Sequence, residues 1–277
     1  MDLTKRRQKY VNVGEHIEAL DADVVEVKYD GWWARCVITK GKIQIFSRQG
    51  QLKFEGEASL PDCVLIGEYL VGTQRAATTE QLGKVVVFDI IEIESHHVYP
   101  HAVAQLSWSC RRKILEELDF TGTMFELIET FKPADADELW EREVIEGGAE
   151  GLVYKRSYES YVDSTVYRKK RVFTMDYVVM DLQEGGGANE GRLGALICGL
   201  YVNGNLKRKL RVGGGFRDKE REAIWSAPED YIGRVLEVKG WQLFESGALR
   251  HPNACRGKGG RLHWREDKAP EECIYGV

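Results

Sequence analysis

Residues 24–31 read Val24-Val25-Glu26-Val27-Lys28-Tyr29-Asp30-Gly31. β-Branched residues on every second or adjacent position predict a short buried strand, and Asp-Gly predicts the turn that ends it. Lys28 therefore stands at the mouth of a strand rather than on a solvated helix face. An amine there attacks an electrophile only when neutral, and an ordinary lysine near pH 7 is neutral in about one molecule in a thousand. Desolvation, neighbouring cations and a bound metal are the means of raising that fraction.

Working outward, strand signals fill the first ninety residues. Trp33 to Thr39 and Lys42 to Ser47 flank a Lys40-Gly41 turn, and Ile43-Gln44-Ile45 alternates as a half-buried hairpin strand does. Cys63 to Tyr69 and Lys84 to Ile91 read as buried strands, followed by helical spacing over Ser107 to Leu118 and Asp135 to Glu146. Gly151 to Lys155 and Asp176 to Leu182 return to strand, Glu184 to Ala188 reads as a loop, and a helix is expected near Asp218 to Trp225 among short strands. The expected class is α+β: a domain over residues 1–175 and a small β-barrel over residues 176–277.

The chain has 277 residues, 43% of them hydrophobic and 30% charged, which excludes disordered and fibrous classes. No apolar run approaches the ~20 residues of a membrane span, and the N-terminus shows no secretory signal. The six cysteines lie far apart with no CxxC pair, as expected of free thiols in a reducing, cytoplasmic setting. The net charge of −5 hides an uneven distribution. Residues 129–150 hold eight acids against two bases, residues 203–222 seven bases against three acids, and residues 250–268 six bases against two acids. Two basic runs in one half suit a nucleic-acid surface. His96, His97 and His101 do not make a zinc set, because Pro100 interrupts any helix aligning them and no cysteine is near.

The ordered company of Lys28 carries the functional reading. The segment Lys28-Tyr29-Asp30-Gly31 resembles motif I of the covalent nucleotidyltransferases, the superfamily of ATP-dependent DNA ligases, RNA ligases and mRNA capping enzymes. Ser47-Arg48-Gln49-Gly50 resembles motif Ia, Gly67-Glu68-Tyr69 motif III, Phe88-Asp89-Ile90-Ile91 motif IIIa and Glu150-Gly151-Leu152-Val153-Tyr154-Lys155 motif IV. Arg168-Lys169-Lys170, six residues before Asp176, stands where motif V belongs, and Arg265-Glu266-Asp267-Lys268 resembles motif VI.

The resemblance implies an adenylation domain followed by an OB-fold domain. It also implies roles: Lys28 is the nucleophile that takes AMP from ATP; Glu26 accepts the adenine amine; Phe88 stacks on the purine; Arg48 and Glu68 bind around the ribose. Arg168, Lys169 and Lys170 supply the cation at the α-phosphate, with Lys170 the first choice by its spacing. Arg265 and Lys268 grip pyrophosphate. Glu150, with Asp30 as a weaker candidate, holds a divalent metal, Mg²⁺ by preference. The expected protein is a minimal ATP-dependent DNA ligase of phage or bacterial type, a monomer acting on nicked double-stranded DNA with no membrane association. An RNA ligase, a capping-type guanylyltransferase and a catalytically dead binding module are the alternatives. One departure stands out: the position five residues after Lys28, often arginine in such proteins, is Trp33, with Arg35 two further on.

Overall fold

The alternation read in the first half is realised as two sheets. Strands β1 (Lys9–Asn12), β2 (Val24–Lys28), β3 (Trp32–Thr39), β4 (Lys42–Ser47), β5 (Leu52–Glu57), β6 (Cys63–Tyr69) and β7 (Val85–Ile93) come first. Helix α1 (Trp108–Glu116), β8 (Phe125–Leu127), α2 (Ala136–Leu139), β9 (Gly151–Lys155) and β10 (Thr165–Lys170) follow. A six-stranded sheet runs β5-β4-β3-β6-β7-β8, and a four-stranded sheet runs β1-β10-β9-β2. The structure is a computed structural model that describes residues 8–13, 21–71, 83–94 and 100–275, with backbone alone at 100–102. His96 and His97 lie outside the described residues, and the backbone of His101 belongs to a short 3₁₀ turn, Pro100–Gln105.

The chain divides into two compact units, Met1–Lys170 and Arg171–Val277. Strand β11 (Phe173–Glu184) opens the second unit ahead of the expected boundary near 175. With β12 (Leu193–Val202), β13 (Asn205–Val212), β14 (Val235–Gly240) and β15 (Asn253–Ala254) it forms a five-stranded antiparallel sheet ordered β13-β12-β11-β14-β15. Register shifts at Val179/Asp181 and Gln183/Glu184 let the twelve-residue β11 bend, as bulges do. Helix α3 (Asp218–Ser226) packs Ile224 into that unit's core, beside Tyr177, Leu196 and Leu236.

Local chemistry explains the punctuation. Lys40 and Gly41 both have positive φ (51° and 75°), the demand of a two-residue type I′ hairpin turn. Ser107 caps α1 by accepting from the Cys110 N–H at 3.4 Å. The helix expected over 135–146 is not uniform: after α2 the coil widens into a π-helical segment, Trp140–Glu146.

The first core packs Cys36, Ile38, Ile43, Ile45, Leu65 and Ile90 between sheet and α1. One buried ion pair crosses it. Arg111 grips Asp89 through Nε (2.6 Å) and Nη2 (2.9 Å), and its Nη1 donates to Leu106 O at 2.5 Å. Both side chains are 1% exposed, so neither could lose its partner without stranding a buried charge. All six cysteines are free, and only Cys110 is exposed. Among the described residues no helix is long and apolar enough to cross a membrane.

Candidate active site

Strand pairing brings the sequence-distant motifs together. Gly151 opens β9, the strand between β2 and β10, and it is the register partner of both Lys28 on β2 and Lys170 on β10. A residue with no side chain thus sets two lysines level from opposite flanks. Glu150, one residue before it, donates its N–H to Lys28 O at 3.0 Å. Its carboxylate takes one contact from each lysine: Oε2 meets Lys28 Nζ and Oε1 meets Lys170 Nζ. A Cβ on Gly151 would lie 2.0 Å from Lys169 O, so no larger residue fits between β9 and β10.

Burial and charge compete around this carboxylate. Burial raises the Glu150 pKa, but the Lys28 and Lys170 charges outweigh it and hold the group below the usual range. Burial lowers the Lys170 pKa against the opposing pull of Glu150. Lys169 projects from the opposite face of β10, 4.3 Å from the Trp140 ring centroid, whereas Arg168 shares the Lys170 face by strand alternation. Arg168 Nε is buried and has no hydrogen-bond partner.

Deeper along β2, Glu26 is 2% exposed and its Oε2 pairs with Lys155 Nζ at 2.5 Å. Its other oxygen, Oε1, is buried without a partner. An acceptor left bare in such a place needs a donor. Lys155 Nζ also donates to Phe88 O at 3.4 Å and sits 5.1 Å from the Phe88 ring centroid. Glu26, Phe88 and Lys155 therefore form one cluster. Lys155 ends the segment that resembles motif IV, and the resemblance gives it no role; its signal in the sequence is a lysine closing a buried run.

Glu68 accepts from the Gly31 N–H at 3.0 Å, and a Cβ on Gly31 would lie 2.7 Å from Tyr69 O and 2.8 Å from the Glu68 side chain. The Asp30-Gly31 turn thus serves close approach. Burial pushes the Glu68 carboxyl up to about 7, against the opposing Lys28 charge and Gly31 bond. Asp30 occupies the loop just past β2, half-buried. Arg48 lies over the rings of Tyr10 and Trp33 (5.6 and 5.7 Å), while Arg35 lies 5.1 Å from the Phe46 ring instead. Among the described residues, no three His, Cys, Asp or Glu side chains are grouped to hold a metal ion.

The second unit carries a smaller cluster of its own. Asp176 on β11 uses one oxygen, Oδ2, to accept from Arg265 Nη1 at 2.7 Å and Lys268 Nζ at 3.0 Å. Its Oδ1 is buried without a partner. Asp267 forks onto Arg265 at 3.0 and 2.9 Å, and that hydrogen bonding lowers its carboxyl to about 2. Beside them a cavity of about 150 Å³ is lined by Arg234, Trp264, Arg265 and Lys268. Not every base of the two basic runs faces outward. Arg221 donates to Leu193 O, Gly194 O and Gly213 O, and Arg256 pairs with Glu220.

A family model described as RNA ligase matches residues 22–172, more than half of the chain. This chain belongs to the RNA ligase family. The matched span contains Glu26, Lys28, Glu150 and Lys170, and a second model, DNA ligase OB-like domain, matches residues 184–257. Among curated proteins, a DNA ligase of Aeropyrum pernix is 25% identical over 247 residues, covering 73% of this chain and 40% of that protein. The multifunctional non-homologous end joining protein LigD of Mycolicibacterium smegmatis is 26% identical over 297 residues, covering 90% of this chain and 37% of that protein. This family member thus spans about two fifths of the length of those relatives. A solved Lig E DNA ligase superposes with a TM-score of 0.69 at 18% identity, covering 93% of this chain and 99% of that one. The fold is the expected α+β pairing of a nucleotidyltransferase domain with an OB-fold domain.

Proposed function

We propose that this protein is an ATP-dependent DNA ligase that seals nicks in duplex DNA through a lysyl-AMP formed on Lys28. The observation that carries the reading is the convergence of Lys28 and Lys170 on the Glu150 carboxylate across one glycine register position. The curated relatives named DNA ligase and LigD support it, as does the DNA ligase OB-like match.

The residues suit adenine and its phosphates. Glu26 Oε1, bare and buried, accepts the adenine amine; Phe88 stacks on the base; Arg48 and Glu68 meet the ribose. Lys28 Nζ attacks the α-phosphorus: a P–N bond forms, the bond to the bridging oxygen breaks, and pyrophosphate leaves. Attack needs the neutral amine, so Lys28 must leave its ion pair with Glu150 and give up a proton to solvent before the P–N bond forms. Lys170, and Arg168 on the same face, then balance charge at the α-phosphate oxygens. Arg265 and Lys268 exchange Asp176 for the departing pyrophosphate. AMP next passes to the 5′-phosphate at the nick, and the 3′-hydroxyl displaces it to close the strand.

Glu150, with Asp30 two residues after Lys28, would hold a divalent ion, Mg²⁺ by preference, and that ion would neutralise charge on the substrate phosphates. The RNA ligase description of the family favours one second reading, the joining of RNA ends.

The test is incubation with ATP labelled at the α-phosphate and Mg²⁺, then denaturing electrophoresis. The wild type should carry label and Lys28→Ala none. Addition of nicked DNA should move the label onto the 5′-phosphate and then release it as AMP. Protein stripped of prebound AMP by pyrophosphate that still takes no label would overturn the reading, and transfer only to nicked RNA would select the second one.

A further inference from the structure

We propose that Tyr10 is a positioning residue: with Trp33 it holds Arg48 and Arg168 in an alternating column of ring and guanidinium contacts that sets Arg168 toward the α-phosphate and Arg48 toward the ribose of the bound nucleotide. The inference rests on the function proposed above and deepens it. It gives a role to a strand outside every motif and to the tryptophan at the position where an arginine is common.

The column draws on four separate stretches of chain. β1 pairs in parallel with β10, setting Tyr10 opposite Val166 and Asn12 opposite Arg168. The Arg168 guanidinium lies 4.9 Å from the Tyr10 ring centroid, and that of Arg48 lies 5.6 Å from the same ring. Arg48 lies in turn 5.7 Å from the ring of Trp33 on β3. The order is Trp33, Arg48, Tyr10, Arg168.

Two guanidiniums near each other repel, and an aromatic ring with its negative face toward each offsets that repulsion. A guanidinium held over a ring can still turn N–H donors toward an oxyanion. Arg168 Nε, buried and without a partner, is a donor of that kind. The Tyr10 hydroxyl donates to Gln8 Oε1 at 3.3 Å. Burial pushes the phenol up to about 12 even beside Arg48, so the ring stays uncharged wherever the enzyme works. Trp33 adds no charge where an arginine would, but it gives Arg48 a second ring contact at 5.7 Å. The ring, not the hydroxyl, is what the argument requires.

The experiment uses the full chain and reads the KM for ATP in self-adenylation beside the rate at saturating ATP and the melting temperature. Tyr10→Phe should match the wild type within about twofold, because it keeps the ring face. Tyr10→Leu, similar in apolar bulk, should raise the KM by about 5- to 30-fold, the range of one cation–π contact from exposed to desolvated settings. Trp33→Leu should move the same parameter in the same direction and reports independently if Tyr10→Leu does not fold. A Leu variant with the wild-type KM, while Arg168→Ala raises it, would overturn the column and leave the arginine assignments standing. An unchanged KM with slower joining by pre-adenylated enzyme would also overturn it, by moving the anion to the DNA end. Arg48→Ala and Arg168→Ala that both leave the KM unchanged would bring down the functional reading of those residues as well.

Discussion

Both units set two cations on one carboxylate, and they do it in opposite ways. Glu150 gives one oxygen to each of Lys28 and Lys170, and all three are fixed by the backbone register of a sheet. Asp176 gives a single oxygen to both Arg265 and Lys268, which lie in an irregular segment tied to β14 by the Arg265 N–H to Val235 O bond. The first arrangement is built into strand pairing, and moving one member means moving a strand. The second rests on long side chains that can swing without disturbing the barrel. A chemical step that needs exact placement of a nucleophile suits the first; a grip that must close on an anion and let it go suits the second.

The largest expected effect breaks the first arrangement alone. Gly151→Ala would force a methyl to within 2.0 Å of Lys169 O, so β9 and β10 must part. Thermal denaturation should show a loss of more than about 3 kcal/mol, and self-adenylation should vanish with it. A variant with wild-type melting and labelling would show that the register is not what holds the lysines.

The next effect sharpens the contrast between buried and solvated carboxylates. Glu68 is raised to about 7 by burial, whereas its unfolded value is near 4.5. Between those values the folded protein holds a proton that the unfolded chain has released, so stability falls as pH rises through that window and levels off above it. Chemical denaturation of the unliganded protein should find it more stable by on the order of 3 kcal/mol below the window than above it. Glu68→Gln should remove that part of the slope, and an unchanged slope would put its origin elsewhere. The exposed Asp267, lowered to about 2, is already ionised throughout and contributes nothing over the same range.

The smallest effect tests the second arrangement. Arg265 and Lys268 remain about a quarter exposed, so water can take over from Asp176 if it is lost. Asp176→Ala should change the self-adenylation rate by about tenfold or less. A loss as large as that from Gly151→Ala would mean the two clusters are equally rigid.

Much of this was legible in the sequence. Lys28, Glu150 and Lys170 each sit in a short local pattern, and the strands carrying them alternate clearly enough to be drawn. Their meeting point was not legible, because it depends on which strands pair and in what register. Lys169 illustrates the gap: beside Lys170 in sequence, it faces Trp140 once β10 is formed. Tyr10 is not legible in the sequence, because four residues of parallel strand leave no local periodicity and its partners lie far along the chain. The Asp89–Arg111 pair looked like one strand residue and one helix residue, each unremarkable alone. The widening of the helix after Leu139 likewise has no sequence signal, since its apolar spacing reads as an ordinary turn.

The distribution of thiols has a practical consequence. Five of the six cysteines are buried, and burial raises their pKa values, to about 12 at Cys63 and Cys198 and about 11 at Cys273. They are both hidden from a reagent and protonated at the pH where maleimides react. Cys110 alone is exposed, on the helix between β7 and β8 and away from Lys28 in sequence. The protein therefore arrives with a single addressable handle, and a dye or tether placed on it would report on the protein without a cysteine having to be added or removed.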